Sequence, residues 1–359
     1  MRNDIPRTVD EVVRGGSKVF LRCDCNVPLD DRGSIADDFR IRSVIPAIRA
    51  LHKQGASVVM GTHLGDPKEE HTEALSTKII AKRLGELLSL PVSFSPTAVG
   101  PDAREASSAL KSGEVLVLEN LRFYGGEKQN DESFAKELAS LADCYVNEAF
   151  SASHREHASI VGVPAFLPSA IGPLFCQEVR ALSALLDAPA RPMVAVIGGN
   201  KLQSKLGVVE RLLEVADNVL LGNMLAAEAA RGEAVFLRQK KLVLPVDGFP
   251  SNENALDIGV ETRKKFCDIL GRAKTVFWAG PLGKVEEDAY TQGSLDVARC
   301  IASSGAFSVI GGGDLGAFVR GQALERSFSH VSTGGGAMLT YIGEGDLPGL
   351  RAVREGRGF

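Results

Sequence analysis

The sequence predicts a two-domain α/β fold in which each domain is a parallel sheet covered by helices on both faces. Three observations carry this expectation. Short apolar runs rich in Val, Leu and Ile alternate with stretches of helical periodicity; the alternation begins again after residue 190; and one helical segment separates the two series. Strands that alternate with helices are joined by crossovers rather than tight hairpins, and crossovers place helices over a parallel sheet.

The first series has strand-like runs KVFLRC at 18 to 23, SVVMGT at 57 to 62, VLVLEN at 115 to 120 and CYVNEAF at 144 to 150. Between them, Ile41, Val44, Ile45, Ile48 and Leu51 share one helical face, and so do Ile79, Ile80, Leu84, Leu87 and Leu88 after a cap expected at Ser76. The second series reads PMVAVIGG, NVLLGN, KLVLPVD, TVFWAGP and FSVIGGGD. Phe175, Val179, Leu182, Leu185 and Leu186 give the segment between the series one apolar face, and a Pro-containing turn ends it. The expected plan is an N-terminal domain over 1–172, a connecting helix over 173–188, a second domain over 189–345 and a tail over 346–359 that returns to the first domain. Both domains are expected to be Rossmann-like.

Composition sets limits on function. The chain has 359 residues, 44% hydrophobic and 24% charged, which is more than a single core usually holds. Its net charge of -4 comes from 41 basic and 45 acidic residues without a polybasic run, so neither nucleic acid nor a membrane surface is an expected partner. The start MRNDIPRTVDEVV lacks the pattern of a secretory leader, and no stretch of about 18 apolar residues is present for a membrane helix. Six cysteines without a CxxC pair fit a reduced, cytoplasmic compartment. Cys23 and Cys25 are expected to be buried structural thiols.

Ligands of open parallel sheets sit beyond the carboxyl ends of strands, where backbone N–H groups and helix dipoles face outward. GGNK at 198 to 201, AGPLG at 279 to 283 and GGGD at 311 to 314 each follow a strand-like run, and STGGGA at 332 to 337 precedes a helical stretch. A tight turn alone explains one glycine pair, but four clusters in one domain point to a phosphate cradle. None matches GxxxxGK[ST] or GxGxxG. In the first domain the strand ends carry Arg22, Asp24 and Asn26, then His63, then Arg122, then His154 and Arg155, which together make an anion pocket. A basic pocket paired with a phosphate cradle suits phosphoryl transfer, in which positioning and charge neutralisation do most of the catalysis.

RCDCNVPL with DDFRIR, THLGDP, ENLRF, YVNEAFSASHREHAS, GGNKLQSKL, LPVD, WAGPLG, VIGGGD and HVSTGGGA, followed by EGDLPGLRAV, resemble in order the signatures of the phosphoglycerate kinase family over nearly the whole chain. The resemblance implies a cytosolic, usually monomeric enzyme that passes phosphate between 1,3-bisphosphoglycerate and MgADP, giving 3-phosphoglycerate and MgATP. Closure of the two domains about the hinge is then part of the reaction. The resemblance implies that Asp24, Asn26, Arg40, His63, Arg122 and Arg155 bind phosphoglycerate, with Asp66 at the same corner. It assigns Gly198, Gly199, Lys201, Lys205, Gly222, Pro281, Leu282, Glu286, Gly311, Gly312, Gly313 and Asp314 to ATP or ADP, with Lys205 on the phosphates and Glu286 on the ribose. Asp314 is the implied carboxylate for Mg²⁺, and Arg40, Lys201 and the backbone at Gly313 and Gly334 the implied catalytic set.

The chain also departs from the family pattern. The family places an arginine after HLG and this chain places Asp66, which is expected to turn away or to be offset by Lys68. Ser204 stands for an aspartate, Ala279 for an asparagine and Leu315 for a threonine; a glycine triplet is reduced to Gly222-Asn223, and the stretch from 225 to 256 is short. Two alternatives therefore stay open: an acyl-phosphate-forming kinase for another small carboxylate, and a non-catalytic ligand-binding relative.

Overall fold

The computed structural model describes residues 6–68, 71–232 and 234–356, with the side chain of residue 235 excepted. The first residues of the leader reading and the last three of the expected tail lie outside the described residues. The chain forms two compact units, one running through Val179 and resuming at Asp346, the other spanning Arg180–Gly345.

In the first unit, strands β1 (Lys18–Arg22), β2 (Ser57–Gly61), β3 (Val92–Ser95), β4 (Val115–Leu118), β5 (Cys144–Asn147) and β6 (Ser169–Ile171) form one sheet in the order β3-β4-β2-β1-β5-β6. All its pairings are parallel. Every residue of β2, β4 and β5 is buried, as continuous apolar strands covered on both faces must be. The helix Phe39–Lys53 buries Ile41, Val44, Ala47, Ile48 and Leu51, and Lys78–Leu88 buries Ile80, Ala81, Leu84 and Leu88. The second of these helices starts one residue later than the sequence suggests. Its cap position is Thr77, while the Ser76 hydroxyl donates to Glu119 Oε2 at 2.8 Å and accepts the Lys78 N–H at 3.3 Å.

In the second unit, β7 (Met193–Ile197), β8 (Asn218–Leu221), β9 (Leu242–Val243), β12 (Thr275–Ala279), β13 (Phe307–Gly311) and β14 (His330–Ser332) form a sheet in the order β14-β13-β12-β7-β8-β9. Its pairings are also all parallel, while β10 (Gly248–Phe249) and β11 (Asp257–Ile258) make a separate antiparallel pair. Val194, Val196, Leu220, Phe266, Trp278 and Ile310 anchor its core.

The helix Pro173–Asp187 occupies the segment in which the sequence places the connecting helix. The buried carboxylate of Glu148 accepts from the backbone N–H of Leu174 at 3.0 Å and of Phe175 at 3.4 Å, which satisfies donors that open the helix. Burial pushes this carboxyl up to about 7.

Cys23 and Cys25 are fully buried free thiols, and burial pushes Cys25 up to about 12. Cys267 and Cys300 form a disulfide, a pairing that the reading of a reduced compartment from the cysteine pattern does not anticipate. The neighbouring helices Val260–Leu270 and Gln292–Ser304 bring their Cα atoms to 5.5 Å, within bridging range.

Candidate functional site

A doubly wound sheet offers a crevice where the connections from two adjacent strands run in opposite directions. In the first unit β1 leads toward β2 while its other neighbour, β5, leads toward β6. The segment after β1 therefore opens the crevice, and it carries Asp24 and Asn26. Asp24 accepts from Arg40 and from the Ser151 hydroxyl, and also from the Asn26 N–H at 3.0 Å. Burial alone would raise the Asp24 carboxyl, but the Arg40 guanidinium and these hydrogen bonds outweigh it and hold it well below the usual range. His63 lies at the end of β2, with Nε2 3.9 Å from Asp24 Oδ1 and Nδ1 3.4 Å from Arg22 Nη2. Burial, opposed by the Asp24 carboxylate but reinforced by Arg22, Arg122 and Arg40, holds this histidine well below its ordinary pKa.

The same crevice receives the turn after β4. Asn120 fixes that turn by accepting from the Arg122 N–H at 3.0 Å and by donating to Leu64 O and Leu75 O. Asn26 Oδ1 accepts the Gly65 N–H at 2.8 Å, and Arg122 Nη1 donates to Gly65 O at 2.8 Å, so the HLGDP turn is tied to two strand ends. Arg122 is 5% exposed and its Nε is buried without a partner. Burial and then the nearby Arg155 charge lower its pKa. Arg155 is exposed, with Nε 3.4 Å from His154 Nε2.

Asp66 neither turns away nor meets Lys68. Its Oδ1 lies 2.9 Å from Lys128 Nζ and 3.6 Å from Arg122 Nη1. The hydrogen bond from Lys128 is the main reason that its carboxyl titrates below the ordinary value. Lys128 was missed in the sequence, since it belongs to no motif and lies far along the chain from the HLGDP turn.

In the second unit the reversal falls between β7 and β12, since β7 leads toward β8 and β12 toward β13. A cavity of about 490 Å³ opens there. Of the positions expected to bind nucleotide, Gly199, Lys205, Pro281, Leu282, Glu286 and Gly311 through Asp314 line it, whereas Gly198, Lys201 and Gly222 do not. Gly335 lines it rather than the expected Gly334, and Asn200, Met224, Leu256, Lys284, Met338 and Leu339 are lining residues that sequence reasoning missed. Asn200 had a signal in its GGNK turn; the apolar ones had none beyond their helical spacing. The substituted positions Ala279 and Leu315 are buried in its wall, and Ser204 is exposed, its hydroxyl donating to Lys201 O at 3.0 Å.

Glycine is required where the two strand ends close on each other. A Cβ at Gly198 would lie 2.0 Å from Pro281 O, and Gly199, at φ +97, passes beside Lys205 Nζ. Lys205 Nζ donates to Gly198 O at 2.6 Å; burial lowers its pKa, opposed by the charges of Asp314 and Glu228. Gly198→Ala is expected to cost about 1–3 kcal/mol by forcing these backbones apart, measured as a shifted denaturation midpoint of the second unit. Asp314 lies in the first turn of the helix Gly313–Gly321, after Gly312 at φ +121, and is exposed to the cavity. Its N-terminal backbone donors and dipole favour anions. Lys201 is exposed, and Gly222 opens the helix Asn223–Arg231.

Among the described residues no group of three or more His, Cys, Asp or Glu gathers into a metal cage. Asp314, the carboxylate that follows the glycine turn, nevertheless suits Mg²⁺, which usually keeps waters and takes one or two carboxylates together with substrate phosphates.

The phosphoglycerate kinase family model matches residues 9–232 and 224–345. A phosphoglycerate kinase of Desulforudis audaxviator is 39% identical over 390 residues, covering 98% of this chain and 99% of that protein. One from Salinispora tropica is 42% identical over 394 residues, covering 97% and 99%. These alignments are longer than this chain, so the relatives carry residues that it lacks, and the two family-model stretches meet near the short 225–256 segment. The phosphoglycerate kinase structure from Pyrococcus horikoshii OT3 superposes with a TM-score of 0.85 at 33% identity, covering 97% of this chain and 98% of that one. That from Coxiella burnetii gives 0.81 at 30% identity, covering 98% and 99%. With two six-stranded parallel sheets and matches that run nearly end to end, this chain belongs to the phosphoglycerate kinase family, the kinases that take a carboxyl group as phosphoryl acceptor.

Proposed function

We propose that this chain moves a phosphoryl group reversibly between 1,3-bisphosphoglycerate and MgADP, forming 3-phosphoglycerate and MgATP, as a monomer in the cytosol. The observation that carries this reading is the cavity at the second sheet's reversal point, where Lys205, Asp314 and glycine turns meet an apolar wall that includes Leu282 and Met338. Such a site takes phosphates at one end and a base at the other, with Glu286 available to the ribose hydroxyls.

In the first unit, Arg40, Arg122 and Arg155 supply charge for a phosphorylated carboxylate, while Asp24 and Asn26 orient Arg40 and the HLGDP turn. His63, held neutral, is a hydrogen-bonding group that adds no charge. A carboxylate is ionised at neutral pH, so the acceptor attacks without a general base and the protein needs no covalent nucleophile. The work left to the chain is to align the two ligands and to neutralise the transferring group, for which Arg40, Lys201 and the backbone donors near Gly313 and Gly334 are the proposed set. Mg²⁺, held by Asp314 and the nucleotide phosphates, supplies charge neutralisation when bound.

The test is a coupled assay with 3-phosphoglycerate and MgATP. ADP release that depends on 3-phosphoglycerate is the expected result. Asp66, beside Arg122 where a distal phosphate would bind, favours a second reading, a kinase for another small carboxylate. Turnover with an unphosphorylated acid and none with 3-phosphoglycerate would establish that reading instead.

A further inference from the structure

Lys128 ends a short helix, Gly125–Lys128, after the β4 turn. Its ammonium reaches across to the HLGDP turn, 2.9 Å from Asp66 Oδ1 and 3.3 Å from Pro67 O. Arg122 Nη1 is 3.6 Å from the same carboxylate, and the Arg155 charge acts on both Arg122 and Asp66. Three cations thus face one carboxylate. Among the described residues the other groups packed here do not cancel the surplus, since Asp24, whose charge also reaches Arg122, is paired with Arg40. Glu127 is committed to Ser159 and Arg22, while His154 and His157 are driven toward the neutral form by burial. Arg122, nearly completely buried, keeps an Nε without a partner.

We infer that Lys128 is a phosphate ligand of this chain, which joins Arg122 and Arg155 in receiving the distal phosphate of the carboxylate substrate, and that Asp66 is the anion it exchanges for that phosphate. The surplus of two positive charges at this corner matches a phosphate dianion. Asp66 is 71% exposed on its side chain and Lys128 34%, so the pair between them is a weak, solvated one that a dianion with charge-assisted bonds displaces. As the carboxylate swings into water, Lys128 and Arg122 are released together. The lysine then supplies the cation that the family places after HLG and that this chain lacks.

This rests on the proposed substrate, and the test separates the two. Wild type, Lys128→Met, Lys128→Arg and Asp66→Asn are compared by calorimetric binding of 3-phosphoglycerate and of glycerate at two salt concentrations, together with KM and kcat. Lys128→Met is expected to weaken 3-phosphoglycerate about tenfold at low salt and less at high salt, with glycerate binding unmoved and KM rising more than kcat falls. Lys128→Arg should restore binding, and Asp66→Asn should tighten it several-fold by removing the competing anion. Unchanged 3-phosphoglycerate binding in Lys128→Met, with wild-type melting and wild-type turnover intact, would overturn the inference and leave the activity standing. Absence of 3-phosphoglycerate turnover in wild type would defeat the activity itself. In that case a loss of phosphorylated-acid binding in Lys128→Met would still support the ligand role.

Discussion

Glu127→Ala is expected to destabilise the first unit by roughly 3–5 kcal/mol, the cost of removing one partner from a buried ion pair. Glu127 is wholly buried; its Oε1 accepts the Ser159 hydroxyl at 2.6 Å and its Oε2 the Ser159 N–H at 2.9 Å. Across Ser159 stands Arg22, also fully buried, whose Nε donates to the same hydroxyl at 2.7 Å and whose Nη2 lies 3.8 Å from Glu127 Oε1. Without Glu127 the guanidinium keeps its hydrogen bonds to Ser159 and Cys23 but loses its counter-charge in a site closed to water. Nη2 also contacts His63, so relaxation of Arg22 is transmitted to the anion crevice and should weaken substrate binding as well.

At about 2–4 °C per kcal/mol for units of this size, the unfolding transition should fall by roughly 6–20 °C in calorimetry. Glu127→Gln, which keeps hydrogen-bonding capacity and loses the charge, isolates the ionic part. The double variant Arg22→Met with Glu127→Leu should recover much of the loss, because an apolar pair of similar volume needs no counter-charge. A midpoint in Glu127→Ala within 1 kcal/mol of wild type would show that Arg22 finds its compensation elsewhere.

Central strands were legible because they are buried on both faces and therefore uninterrupted in sequence. The run VVMG in β2 and the run MVAVI in β7 announce themselves. The missed strands of the two six-stranded sheets, β3, β6 and β14, sit at their edges, where one side lacks a neighbouring strand, the runs are short, and polar residues are admitted, as in VSFS and SAI, and the missed pair of β10 and β11 consists of two-residue strands. The Cys267–Cys300 bridge carried no spacing signal, since it depends on how two helices pack. The crevice residues were legible because they stand at strand ends in order along the chain. Lys128 was not, since its meeting with Asp66 follows from the pairing of β2 with β4, which sets the two following turns side by side. No periodicity within either turn encodes that neighbour.

Asp314→Ala is expected to lower turnover by about 10²–10³, the scale on which loss of one pre-positioned charge-stabilising group acts on a transition state. Asp314 opens into the cavity from the first helical turn after Gly312, whose φ of +121 is a backbone conformation that residues with side chains rarely adopt, and its charge reaches Lys205. A purely structural role predicts something different. The cap of this helix is Gly312, not Asp314, so the aspartate's structural contribution is limited to the dipole effect of an acidic group in the first turn, about 0.3–1 kcal/mol. The two roles separate by measurement. If the carboxylate serves Mg²⁺, kcat at saturating substrates should fall in both Asp314→Ala and the isosteric Asp314→Asn, the magnesium needed for half-maximal rate should rise, and the melting shift produced by ATP should lose its dependence on magnesium. A near-wild-type kcat with an unchanged magnesium requirement in Asp314→Asn would remove Asp314 from the metal site and leave it only the dipole role.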